Sequence, residues 1–194
     1  MVQINFVASN PVPGNNDFQG QLAGLGQTDF TTTGATLILD SNAQIFFEFL
    51  GSESGFSDTF TAGSVTHTEV SGFEDHFAAP IPLGFESFLA GSLAGLLNFT
   101  STGIGSMNAT VGQGGFGIFL GPNQLTGQSF STFYLGYDDQ IVGDDDNHDD
   151  FIVRATVLGP VPEPTTWAMM LIGFAGVGYS MRRRRRATWI RQAA

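Results

Sequence analysis

The sequence predicts an all-β body, an antiparallel β-sandwich or jelly roll, followed by a single C-terminal transmembrane helix. Three observations predict it. Through residues 5–160, short β-favouring runs alternate with Gly, Ser, Asn and Pro breaks. No amphipathic helical pattern of any length occurs there. A 17-residue uncharged stretch, 165–181, then ends at five consecutive arginines. A length of 194 residues suits one ordinary domain with an appendage, and 19 Phe supply apolar bulk for a core. With no Cys, disulfide scaffolds, thiolate zinc sites and cysteine nucleophiles are excluded.

Nine strands are expected in order: 35–39, 44–50, 57–62, 64–70, 92–100, 105–111, 115–120, 129–137 and 151–158. Residues 45–50 alternate so that Ile45, Phe47 and Phe49 share one face, with Phe46, Glu48 and Leu50 on the other. Phe130, Phe133, Tyr134 and Tyr137 are residues that strands favour. Nine short strands at close spacing indicate a sandwich or jelly roll. The stretch 85–97 could hold a turn of helix, but its glycines argue for strand or loop. The expected divisions are a β body at 1–158, a linker at 159–164, a membrane segment at 165–181 and a basic cytoplasmic tail at 182–194.

Charge is unevenly distributed. All seven basic residues are Arg. Residues 1–162 hold 17 carboxylates against Arg154 alone, a net −16, whereas residues 163–194 carry +5. A body this acidic repels nucleic acid. In the tail, Pro162 and Pro164 break regular structure around Glu163. The uncharged run that follows is roughly 25 Å long as a helix, barely the thickness of a hydrocarbon core. Trp167 and Tyr179 stand near its ends, as interfacial aromatics do. Arg182, Arg183, Arg184, Arg185 and Arg186 set orientation, because positive charge stays on the cytoplasmic side and places residues 1–160 on the far side.

Pro-Glu-Pro, then Trp-Ala-Met-Met-Leu-Ile-Gly-Phe-Ala-Gly-Val-Gly, then an Arg cluster resembles the PEP-CTERM sorting signal of Gram-negative bacteria, over about residues 162–186. In that family a membrane-embedded exosortase reads the tail and is thought to cut near the motif. The resemblance implies that Pro162, Glu163 and Pro164 are the recognition residues and Arg182 to Arg186 the stop signal. It also implies export, transient anchoring at the inner membrane, and a role beside exopolysaccharide in biofilm or matrix. Two departures stand out. Family members usually end near the Arg cluster, whereas here residues 187–194 continue, with Trp189. They also resemble one another in carrying a secretory signal peptide. Met1 to Asn10 has neither a basic start nor an apolar run, so the true start is expected upstream. The segment Phe73-Glu-Asp75-His-Phe77 resembles the FxDxF subgroup; read from its residues, Phe73 and Phe77 are core anchors and Asp75 caps a turn.

Residues 138–150 place seven carboxylates in 13 positions. Like charges this dense repel, and hard oxygen ligands at flexible spacing suit Ca²⁺. The candidate ligands are Asp138, Asp139, Asp144, Asp146, Asp149 and Asp150. The run is not an EF-hand: counting from Asp144, position six is Asp149 rather than Gly and position twelve is Ala155 rather than Glu. The second reading is a solvated acidic turn capping a strand, partly neutralised by Arg154. His148, among these carboxylates, is expected to have a raised pKa.

Other chemistry is not supported. Gly112-x-Gly114-x-x-Gly117 fits a dinucleotide fingerprint on paper, but a strand follows it instead of a helix. His67, His76 and His148 form no zinc spacing. No Gly-x-Ser-x-Gly elbow supports a triad, and no catalytic residue is assigned. The expected function is a non-enzymatic exported surface or matrix protein with exosortase as its partner. The alternatives are a Ca²⁺-stabilised carbohydrate-binding module and a secreted hydrolase.

Overall fold

The computed structural model describes residues 1–122, 124–140, 147–159 and 164–191. It divides into two units, Met1–Pro160 and Val161–Ala194. Along the chain the described residues form β1 (Val2–Asn5), β2 (Asn10–Pro11), α1 (Gln19–Gly24), β3 (Asp29–Thr31), β4 (Thr36–Leu39), β5 (Ala43–Ser52), β6 (Asp58–Ala62), β7 (Val65–Thr68), β8 (Glu74–Asp75), β9 (Ile81–Phe88), β10 (Gly91–Ser92), β11 (Leu97–Ser101), β12 (Ala109–Thr110), β13 (Phe116–Leu120), β14 (Gln128–Phe130), β15 (Thr132–Tyr137), β16 (Phe151–Leu158) and α2 (Pro164–Arg191). The all-β expectation for the body is borne out.

The strands form three antiparallel sheets. The largest runs β2-β3-β13-β15-β16-β5-β8, with β9 also paired to β5. The two smaller sheets run β10-β4-β1-β14 and β12-β11-β6-β7. One apolar cluster joins all three, with Val2, Ile4 and Leu37 from one small sheet, Phe60, Leu97 and Phe99 from the other, and Ile45, Phe47, Phe49, Phe133 and Phe151 from the large one. Period-two alternation puts them there: Ile45, Phe47 and Phe49 are fully buried, while Phe46 and Glu48 on the opposite face are only partly so. Phe99 stacks on Tyr137 with ring centroids 5.0 Å apart, and Phe151 packs between Phe49 and Phe99 at 4.8 and 5.6 Å.

The far face of the large sheet holds a second core. Phe30, Leu50, Phe119 and Ile152 emerge there and are covered by Val12, Phe18 and Leu22. The short helix α1 thus serves as a lid, through its buried Leu22. Phe18 lies between Phe73 and Phe77, each ring 5.3 Å away, and Asp75 Oδ1 accepts the Phe77 amide at 3.0 Å. Phe73 itself is 59% exposed, so it covers the second core from outside instead of anchoring it.

Several expectations are corrected. The strand expected over 92–100 is two strands, β10 and β11, with a turn between them. That expected over 105–111 shrinks to two residues, and the one over 129–137 is broken at Ser131. Arg154 does not turn toward the acidic run. It lies opposite Glu48 in the β16–β5 register and clasps it with two charged hydrogen bonds, Nε to Oε2 at 2.7 Å and Nη2 to Oε1 at 2.8 Å. In the second unit, α2 runs 28 residues, about 42 Å, through and past the arginines. The transmembrane segment expected at 165–181 lies within it, but among the described residues no helix is long and apolar enough to cross a membrane. Gly173, Gly176, Gly178 and Tyr179 dilute the run, and five arginines follow within the same helix.

Candidate functional site

Strand pairing gathers the acidic residues. In the β15–β16 hairpin Tyr137 faces Phe151, so Asp138–Asp139 and Asp149–Asp150 leave the sheet side by side. On the other side of β16, β5 pairs Gly51 with Ile152, and this brings Ser52, Glu53 and Ser54 to the same edge. Two sets of carboxylates result, each with one oxygen per residue within 4.8 Å of the others: Glu53 with Asp149 and Asp150, and Asp138 with Asp139 and Asp150. Asp150 belongs to both. A cleft of about 190 Å³, lined by Glu53, Gly55, Phe56, Asp139, Gln140 and Asp150, opens the cluster to solvent.

Local hydrogen bonds fix these groups. The Asp139 amide donates to Asp150 Oδ2 at 2.7 Å, Ser54 Oγ donates to Asp139 Oδ2 at 3.1 Å, and the Gln140 amide donates to Asp138 Oδ1 at 2.8 Å. Asp149 Oδ2 accepts the Asp17 amide at 2.8 Å, tying in the segment that leads into α1. Asp138, Asp139 and Asp149 are almost fully buried. Burial pushes the Asp149 carboxyl up to about 7 and the Asp150 carboxyl up to about 8, against the lowering effect of their amide partners. The described part of the run is therefore not a solvated acidic turn, which corrects that reading.

A second buried acidic pair lies nearby. Glu69 Oε1 accepts the Asp58 amide and Oε2 accepts Ser52 Oγ, both at 3.0 Å. Burial raises both carboxyls, Glu69 to about 7. His148 is buried at φ +61° rather than standing in a solvated acidic turn. Its Nε2 lies 2.8 Å from the Gly114 carbonyl and its ring 5.1 Å from Phe30. Two glycines make this approach possible: a Cβ on Gly136 would lie 2.5 Å from the His148 carbonyl oxygen, and one on Gly117 would lie 2.7 Å from its ring.

Of the expected metal ligands, Asp138, Asp139, Asp149 and Asp150 come together, while Asp144 and Asp146 fall outside the described residues. Glu53 was missed. It lies in what reads as a Ser-Gly turn, 85 positions before Asp138, and only the pairing of β5 with β16 brings it in. In the tail, Pro162 and Glu163 fall outside the described residues, and Pro164 is the first residue of α2. The same helix carries Arg182, which is exposed, and Arg183 to Arg186.

The family model described as the PEP-CTERM protein-sorting motif matches residues 160–186. Comparison with curated proteins and with solved structures finds no significant match. The chain carries the sorting signal of an exported protein targeted to exosortase.

Proposed function

We propose that this is a non-enzymatic protein of the cell surface or extracellular matrix, delivered by its C-terminal signal and associated with exopolysaccharide or biofilm. The single observation that carries the reading is the PEP-CTERM match at 160–186. The chain's charge separation supports it, since a net −16 body precedes a basic end that stays on the cytoplasmic side. Exosortase is the partner, with Pro162, Glu163 and Pro164 as the residues it reads. Leu171, Ile172, Phe174 and Val177 of α2 are exposed in the chain by itself. In this reading they are received at the inner membrane by the membrane-embedded exosortase, so the short apolar run need not span lipid unaided. A marginal hold of this kind suits a temporary attachment. In this reading the all-β body, whose three sheets share one apolar core, is the β-sandwich that acts outside the cell.

Replacing Pro162, Glu163 and Pro164 together by Ala tests the reading. An uncleaved precursor held in the membrane fraction of an exosortase-bearing host is the expected result. Normal processing and release of that variant would contradict it.

A further inference from the structure

At the ends of β15, β16 and β5 the acidic residues gather carboxylate oxygens at the spacing of ligands around one hard cation. Glu53, Asp149 and Asp150 each place a carboxylate oxygen within 4.8 Å of the others. Calcium takes oxygen ligands at about 2.3–2.6 Å, so two oxygens across one ion stand at most about 5 Å apart. The set fits inside that span. A buried atom gives independent support. One oxygen of Asp149 accepts the Asp17 amide, but Oδ1 is wholly enclosed and has no hydrogen-bond partner among the described residues. Asp149 is 0% exposed, and a bare carboxylate oxygen at that depth calls for a cation or a proton.

The body supplies no basic side chain to meet this need. Arg154 is its sole Arg or Lys, and its guanidinium is engaged by Glu48 through Nε and Nη2. Three sequence segments converge on the cluster, at Glu53, Asp138–Asp139 and Asp149–Asp150. The cleft beside Glu53 and Asp150 lets an ion reach them, and the donors are all oxygen, which selects calcium over softer metals.

We propose that the protein binds one calcium ion through Glu53, Asp149 and Asp150, with Asp138 and Asp139 adding negative field from the neighbouring set. The ion clamps the turn after β5 to both arms of the β15–β16 hairpin. Dependence on external calcium at sub-millimolar to millimolar levels, as in extracellular modules, is expected.

The test uses the full chain, stripped with EDTA and dialysed into metal-free buffer. Equilibrium dialysis against radioactive calcium should give one ion per chain. Melting in a tenfold excess of calcium over Kd should move up by about 3–6 °C relative to EDTA. Magnesium at the same concentration should move it much less. Glu53→Gln, at a partly exposed position, should abolish the calcium shift, whereas a residue with a merely structural role would move the EDTA melt and leave the calcium shift intact. Coincident wild-type melts with and without calcium would overturn the proposal. So would a Glu53→Gln chain that keeps the full calcium response.

Discussion

Two glutamates on the body show how the same side chain is used in opposite ways. Glu48 is paired with Arg154 through a bidentate contact. Glu69 has no cation beside it among the described residues; burial raises it to about 7 even though Ser52 and the Asp58 amide donate to it. Folding raises this carboxyl above its unfolded value of 4.5. Between those two pH values the folded state keeps a proton that the unfolded chain has lost. The stability it contributes is complete below the unfolded pKa and is lost as pH rises through about 7. Glu69→Gln should therefore flatten the fall in denaturant midpoint between pH 5 and 8, and should match or exceed the wild type at pH 8. A variant that loses stability equally at both ends of that range would contradict the assignment. None of this was legible in the sequence. Glu48 and Glu69 both sit in strand-like runs, and only the register of β5 against β16 and the position of Ser52 separate them.

At the scale of elements, what could be read was whatever alternation dictates. The strand at 151–158 matches to the residue, and β5, β6 and β13 match within two: β5 alternates Ile45, Phe47 and Phe49, β6 alternates Asp58, Phe60 and Ala62, and β13 is a short run of large apolar residues buried on both faces. Strand β9 was missed because Pro82 and Gly84 interrupt it. The structure tolerates them at a bulge, where pairing slips between Phe47 and Glu48. Helix α1 was missed because six residues are too few for a helical period to show. Its role is also tertiary, since it exists to cover Leu50, Phe119 and Ile152. The Phe18 ring, stacked between Phe73 and Phe77, closes that lid. Phe18→Ala should cost about 3–5 kcal/mol in urea unfolding, as for other buried aromatic truncations. A cost under about 1 kcal/mol would mean that the second core does not depend on this ring.

For the whole molecule, two signals separated cleanly. The sorting motif is local and one-dimensional, so its order of residues could be read directly and the family match at 160–186 agrees. The acidic cluster is three-dimensional. Its Asp residues announced themselves by density, but Glu53 joins from another strand, and the burial of Asp149 follows from contact with the segment before α1. The membrane segment expected at 165–181 lies on an uncharged run that its glycines weaken, and among the described residues no helix is long and apolar enough to cross a membrane. In the proposed function the acidic β body is carried outward and the tail that carried it is then removed. The most direct test is the intact mass of the protein recovered outside an exosortase-bearing host, beside that from a host lacking the enzyme. The account predicts a shortened chain without the apolar and arginine segment in the first, and a full-length, membrane-retained chain in the second. Recovery of the same full-length species outside both hosts would contradict it.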